Sequence, residues 1–442
     1  MLFTANKKKE RLSFKKIMKN ILIKGARLVC PKNNIDTVTD ILIKNGKISD
    51  ISDNIDSTGC DIINAAGLIA TPGLIDIHVH FREPGGEHKE DLYSGAMAAA
   101  KGGFTTVCAM PNTSPTIDSA KWVAYIKNKS KQYSLTDVLP IAAITLGLKG
   151  EAIAPIHDMA KAGAIAISDD GYTVNNAALM LQGLKTAKTT GLPVFVHCED
   201  KLLSANGVIG YGKRSCELNL PSIDPCAEDV IIARDIVLAE ATGTPLHICH
   251  IATRGGVQLL REAKARGINV TGEAAPHHFT LSYEDIPGDN ANYKMSPPLR
   301  SPADVAAVMQ GIKDNTIDII ATDHAPHHAD EKALGFLKAP NGIVGLETSF
   351  AISFTELVEK GVITLNQLIK KMTQTPAKII NSKKGQVSIG ACADITIIDP
   401  HIEYTINPNE FVSKSKNSPF TGKKVKGKVM YTIFEGKLVY RA

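Results

Sequence analysis

From residue 71 onward the chain repeats one theme eight times: a short apolar run with strand character, then polar residues, then a stretch of helical periodicity rich in Ala, Lys and Glu. The runs fall at 74–80, 104–110, 138–145, 164–168, 193–197, 245–250, 269–273 and 317–322, with predicted helices at 89–102, 118–130, 151–162, 176–190, 226–242, 255–266 and 302–315 and a last one after Gly345. This alternation signals parallel β/α units, because a crossover helix returns the chain to the same sheet in the same direction. Eight such units predict a closed (β/α)8 TIM barrel.

The two ends of the chain read differently. Residues 19–70 hold short strand-like runs at 21–24, 42–43 and 47–51 about Asn45-Gly46, and residues 386–442 hold runs at 394–399 and 429–440 about Glu435-Gly436. Such dipeptides favour tight hairpins. We therefore expect three parts: a barrel over 71–385, a small β-sandwich built jointly by 19–70 and 386–442, and a basic tail over 1–18 that is disordered or not native.

Charge and composition exclude several functional classes. The net charge of +5 invites a nucleic-acid reading, but Lys7, Lys8, Lys9, Arg11, Lys15, Lys16 and Lys19 stand against Glu10 alone. The basic character belongs to the tail, and the rest is nearly neutral. Its sequence suits either an upstream start codon with Met18 as the working start or a flexible arm for an acidic partner. It lacks the apolar stretch of a secretory signal. No apolar run approaches the roughly 20 residues of a membrane span, so neither nucleic acid nor membrane is expected as a partner. Eight cysteines without a CxxC pair suit reduced thiols in the cytoplasm. Cys198 and Cys249 each adjoin a histidine and, by strand alternation, should face away from it.

The chemically capable residues fall where a barrel builds its active site, at the C-terminal ends of the strands. His78 and His80 end the first run, Pro111 and Asn112 follow the second, and Asp169 and Asp170 follow the fourth. His197 ends the fifth and His250 the sixth. His277 and His278 follow the seventh, and Asp323, His324 and His327 the eighth. In DIHVH the two histidines are two residues apart, so both project on one face of a strand. An isolated HxH is weak evidence, because two histidines can simply be satisfied in a polar barrel mouth. Joined by His197, His250 and Asp323 at the same face, it becomes a metal inventory sufficient for two ions. A pair of ions wants a bridging anion, and either Asp169 or Asp170 in SDDG offers one. The ordinary alternative for each is a loop carboxylate that caps a backbone amide.

On these residues the chain resembles the bacterial type I dihydroorotases of the amidohydrolase superfamily. The matching segments are PGLIDIHVHFREPG from Pro72, GGFTTVCAMPNTSP from Gly102, SDDG from Ser168, FVHCED from Phe195, HICH from His247, PPLR from Pro297, TDHAPH from Thr322, GIVGLET from Gly342 and NSPFTGKK from Asn417. The resemblance runs from about residue 19 to the end.

It implies reversible, zinc-dependent hydrolysis of (S)-dihydroorotate to N-carbamoyl-L-aspartate in pyrimidine (UMP) biosynthesis. His78, His80 and Asp323 would hold one zinc and His197 and His250 a second, with Asp170 between them and Asp323 doubling as the catalytic acid and base. Related enzymes often bridge with a modified lysine, and this chain has no lysine between Lys161 and Lys185. Arg82, Asn112 and His327 match the group that grips the substrate carboxylate, and the backbone of Asn341 and Gly342 matches a further substrate contact. Asn341 stands where the family often has an aromatic residue, and Ser296 where it usually has asparagine. The resemblance also points to a homo-oligomer and to a complex with aspartate carbamoyltransferase. The rivals are another cyclic amidase, an allantoinase or dihydropyrimidinase, and a catalytically silent assembly partner. The absent lysine weighs against the first, and the intact ligand set against the second.

Overall fold

The computed structural model describes residues 20–442. The reading of residues 1–18 as a basic tail lies outside them.

The N-terminal segment forms β1 (Asn20–Cys30), β2 (Ile35–Lys44), β3 (Lys47–Ser52), β4 (Cys60–Asn64) and β5 (Ile69–Pro72). The barrel follows with β6 (Leu74–Val79), β7 (Phe104–Ala109), β8 (Asp137–Ala142), β9 (Ala166–Ser168) and β10 (Val194–Val196). A short parallel pair, β11 (Ile209–Gly210) and β12 (Ser222–Ile223), interrupts it before β13 (Leu246–Ile248), β14 (Val270–Ala274) and β15 (Ile319–Ile320). The C-terminal segment adds β16 (Ile395–Thr405), β17 (Lys424–Phe434) and β18 (Lys437–Arg441).

The two terminal segments join in one continuous hydrogen-bonded sheet, because β16 pairs antiparallel with β5, matching Ile397 to Ala70. Ile21, Ile23, Ile41, Ile43, Ile48, Ile395, Ile397 and Ile433 form its core. Asn45-Gly46 and Glu435-Gly436 both adopt positive φ, as hairpin turns of the matching hand require. They also touch. A Cβ on Gly436 would stand 2.5 Å from the Cα of Gly46, so only glycine fits where the two turns meet.

Strands β6 to β10 and β13 to β15 lie parallel in chain order around the barrel. The ring is closed by a parallel bridge from Val79 to His324 and by the bond from the His80 amide to the His324 carbonyl, 2.8 Å. Ile75, Ile77, Cys108, Ile141, Phe195 and Ile319 fill the interior, and Ala377 and Ile380 at the end of the chain's last helices pack against them. Strands buried on both faces carry continuous apolar runs, which is why the polar residues at their ends stood out in the sequence. Helices Leu92–Lys101, Ala120–Tyr133, Ala177–Thr190, Cys226–Thr242, Arg254–Ala265 and Pro302–Lys313 lie within one or two turns of their expected positions. The first is capped by Asp91, which accepts from the amides of Tyr93 and Ser94; a cap of this kind is worth about 1 kcal/mol.

The last strand is shorter than the run at 317–322 suggests. The Thr322 amide leaves the ladder for the Asp76 carboxylate, 3.2 Å away, so the chain turns there and frees the residues that follow.

Candidate active site

Six side chains expected as metal ligands converge at the C-terminal mouth of the barrel, each delivered by a different strand end except for the pair on β6. The donor atoms of His78, His80 and Asp323 lie within 4.8 Å of one another, as do those of Asp170, His197 and His250. Asp170 stands between the two groups. Its Oδ1 is 3.4 Å from His78 Nε2 and 3.5 Å from His250 Nε2, and its Oδ2 is 3.3 Å from His80 Nε2. Asp323 Oδ1 is 3.1 Å from His80 Nε2 and 3.5 Å from His78 Nε2.

Donor pairs at these separations suit a small cation. A tetrahedral shell with bonds of about 2.0–2.1 Å has edges of roughly 3.3–3.4 Å. His78 Nε2 and Asp170 Oδ1 are moreover buried with no hydrogen-bond partner, a cost of about 1–3 kcal/mol each unless something else satisfies them. The two nitrogens His197 Nδ1 and His250 Nε2 approach to 3.0 Å. Imidazole nitrogens and carboxylate oxygens are donors that a divalent metal ion takes.

The backbone bends to aim these groups. His250 (φ 33°), Asp323 (φ 48°) and Arg82 (φ 61°) all occupy the left-handed region, a strain that persists only where the surroundings impose it and that clusters at functional sites. The turn at His250 also corrects one expectation. Strand β13 ends at Ile248, so alternation no longer governs Cys249, which joins the inner core and lies within 4.8 Å of the donor atoms of His78 and Asp170. Cys198 sits in the outer core between barrel and helices.

The adjacent aspartates, indistinguishable by spacing, have different surroundings. Asp169 Oδ1 accepts from the amides of Ile144 (2.7 Å) and Thr145 (3.0 Å), and its other oxygen takes the Thr145 hydroxyl. It caps a loop. Asp170 faces the histidines.

Electrostatics follow from burial and from these contacts. Burial disfavours charge on His78, yet the fields of Asp170 and Glu273 outweigh it and hold the imidazole well above its ordinary range. Burial likewise opposes ionisation of Asp323, but the His80 bond and the fields of His78, His80 and His250 keep its pKa below the usual carboxylate value. Asp323 is therefore an anion at neutral pH.

Beside the donor cluster opens a cavity of about 270 Å³, lined among others by Arg82, Asn112, Ser296, Asn341 and Gly342. Asn112 Oδ1 lies 2.8 Å from His80 Nδ1, so its amide nitrogen turns the other way, toward Gly171. Arg82 meets the Pro326 carbonyl and His327 Nε2, both at 3.1 Å, and no carboxylate pairs with it among the described residues. Burial lowers its pKa to about 10. His327 is pushed down to about 2 by burial and by Arg82, Lys89 and Lys332, so it is neutral. Asn341 contributes its carbonyl, 2.8 Å from His327 Nε2, while its side chain is exposed.

Several residues at the site escaped the sequence reading. Glu273 holds three groups at once: His78 Nδ1 (2.5 Å), His247 Nε2 (2.9 Å) and the His250 amide (3.1 Å). Its signal was a carboxylate inside a run otherwise read as barrel strand. Glu199 sits 3.1 Å from His197 Nε2 and receives Lys201, which with Tyr172 also lines the cavity. Ser296 donates weakly to Glu199 at 3.4 Å.

Comparisons with known proteins agree with this architecture. A family model described as Dihydro-orotase-like matches residues 67–256. The dihydroorotase of Citrifermentans bemidjiense is 50% identical over 96% of this chain and 100% of its own length, and that of Geobacter metallireducens 49% identical over 96% and 100%. The dihydroorotase of Ruminiclostridium cellulolyticum is 46% identical over 95% and 98%. Among solved structures, an L-hydantoinase (dihydropyrimidinase) from Arthrobacter aurescens superposes with TM-score 0.85 at 27% identity, covering 96% of both chains. A D-hydantoinase superposes with TM-score 0.83 at 28% identity, covering 96% of this chain and 95% of its own. Fold and mouth together define a cyclic amide hydrolase on the TIM-barrel amidohydrolase scaffold. Within that class, the near-full-length identities are decisive: the chain belongs to the dihydroorotase family.

Proposed function

We propose that this protein is a zinc-dependent dihydroorotase that interconverts (S)-dihydroorotate and N-carbamoyl-L-aspartate in pyrimidine biosynthesis. The observation that carries the choice of substrate is Arg82, a guanidinium at the cavity wall that pairs with no carboxylate among the described residues. Its planar fork suits bidentate capture of a carboxylate. Dihydroorotate carries one, whereas hydantoin and dihydrouracil rings do not.

Two zinc ions would be held by His78, His80 and Asp323 and by His197 and His250, with Asp170 between them, and when bound they supply Lewis-acid polarisation of the scissile carbonyl and of the attacking water. The chain's own groups do the rest. Arg82, Asn112 and neutral His327 hold the carboxylate, and the Asn341–Gly342 backbone closes the wall beside it. Asp323, already ionised, takes a proton from the attacking water and delivers it to the ring nitrogen as the carbon–nitrogen bond breaks. Ring closure reverses these steps.

No helix among the described residues is long and apolar enough to cross a membrane. With its cysteines unpaired, we place the enzyme in the reducing cytoplasm, as a homo-oligomer and a partner for aspartate carbamoyltransferase. The deciding assay follows dihydroorotate consumption by ultraviolet absorbance in zinc-loaded and chelator-treated protein, with hydantoin, dihydrouracil and allantoin in parallel. Selective, chelator-sensitive turnover of dihydroorotate is expected. Preference for an uncharged ring removes the proposal.

A further inference from the structure

Asn341 and Gly342 line the substrate cavity, and Lys332, from the same segment, lines a second cavity of about 530 Å³. The residue is nevertheless only 7% exposed. Its Nζ donates to three backbone carbonyls: Lys294 at 3.2 Å, Pro340 at 3.0 Å and Gly342 at 2.9 Å. An ammonium has three protons and no acceptor, so this geometry uses all of it.

The three carbonyls are not incidental to the site. Gly342 and Lys294 are also joined through the Gly342 amide, 3.0 Å, and the Gly342 carbonyl takes a second bond from Asn417 Nδ2, 3.0 Å. Gly342 has φ 130°, and a Cβ there would stand 2.6 Å from that of Ala325, so the backbone must run through this point unsubstituted. The neighbouring Asn341 carbonyl is the group that meets His327, which in turn meets Arg82. An unbroken path of contacts thus leads from the ammonium to the guanidinium.

We propose that Lys332 is a positioning residue for the carboxylate end of the site, its ammonium fixing the Asn341–Gly342 wall against His327 and adding to the positive field that attracts an anionic substrate. This rests on the reading that the substrate carries a carboxylate.

The surroundings make the device sensitive to pH. No carboxylate pairs with Lys332 among the described residues: Glu331 pairs with Lys89 at 2.8 Å, and Asp289 caps the Phe336 amide at 2.5 Å. His328 faces Asp330 at 3.3 Å, while Lys414 is bound to Asp91 and Lys416 to the Phe411 and Ser413 carbonyls. Burial, helped by Lys294 and Arg82 and opposed by Glu331, lowers Lys332 to about 7. The neutral amine keeps two protons for three carbonyls. Above neutrality one anchor and one positive charge are therefore lost, whereas a bound carboxylate favours the charged form.

The test compares metal-loaded wild type with Lys332→Met and Lys332→Arg, measuring KM and kcat for dihydroorotate from about pH 6 to about pH 9, a range that spans titration of a lysine depressed from its ordinary value near 10.4. Wild-type KM should rise as pH passes neutrality. Lys332→Met should raise KM by about tenfold at the acid end, the loss of one charge-assisted contact, with kcat little changed and no further rise at higher pH. Lys332→Arg, charged throughout, should restore a low KM and abolish the alkaline rise. A KM in Lys332→Met that tracks wild type at every pH overturns the assignment, as does a fall in thermal stability and kcat with KM unmoved. Should Lys332→Met fail to fold, the wild-type and Lys332→Arg profiles decide alone: coincident profiles count against the proposal. Wild type that does not consume dihydroorotate at all instead overturns the functional reading.

Discussion

Glu273 Oε1 lies 2.5 Å from Nδ1 of His78, and both side chains are wholly buried. In the neutral imidazole that a metal requires, the contact keeps the proton on Nδ1 and leaves Nε2 free toward Asp170 and Asp323. Carboxylates behind a ligating histidine typically govern metal affinity or activity by about 10–100-fold. We expect Glu273→Gln to weaken zinc binding by that order, measured by competition with a chromogenic chelator. Unchanged affinity would show that Glu273 serves only the fold.

The proposed function gives Asp323 two roles, metal ligand and proton carrier, that a substitution can separate. Asp323→Asn keeps an oxygen of similar shape near His78 and His80 but removes the base. General acid–base catalysis contributes about 10²–10⁴-fold, so kcat should fall by that range while metal analysis still finds substantial zinc. Turnover near the wild-type rate would exclude Asp323 as the proton carrier.

On the proposed function, Arg82 selects which ring the site accepts. Arg82→Ala removes charge-assisted bonds worth about 1.5–3 kcal/mol, so KM for dihydroorotate should rise by about 10–100-fold. Any residual activity toward dihydrouracil should not fall with it, because that ring has no carboxylate to lose. A parallel loss on both substrates would mean that Arg82 supports the loop instead, through its bond to the Pro326 carbonyl.

The strand-end histidines, Asp323 and both hairpin turns were legible because each rests on local spacing: period-two projection, a polar residue closing an apolar run, a glycine at a turn. Eight β/α units likewise carry their own count. What stayed hidden depends on contacts between distant segments. Glu273 meets His78 across 195 positions, and Lys332 is a surface residue in any local reading of ADEK. Cys249 departs from strand alternation because the strand ends at Ile248, one residue before it, and the chain turns at His250. The terminal strands were visible, but their union into one sheet needed the pairing of β16 with β5.

The sharpest separation of sequence from structure is at Asp169 and Asp170, neighbours of the same type with opposite tasks. Asp169→Ala strips acceptors from the Ile144 and Thr145 amides and the Thr145 hydroxyl, all buried. Leaving such donors unmet costs about 1–3 kcal/mol each before the loop relaxes, so Tm should fall by several degrees while the refolded, zinc-loaded enzyme keeps most of its metal. Asp170→Ala removes the anion that stands between two clusters of histidines. It should lose metal and activity together. Calorimetry and metal analysis on the two variants side by side distinguish the roles. An exchange of the two phenotypes would assign the bridge to Asp169.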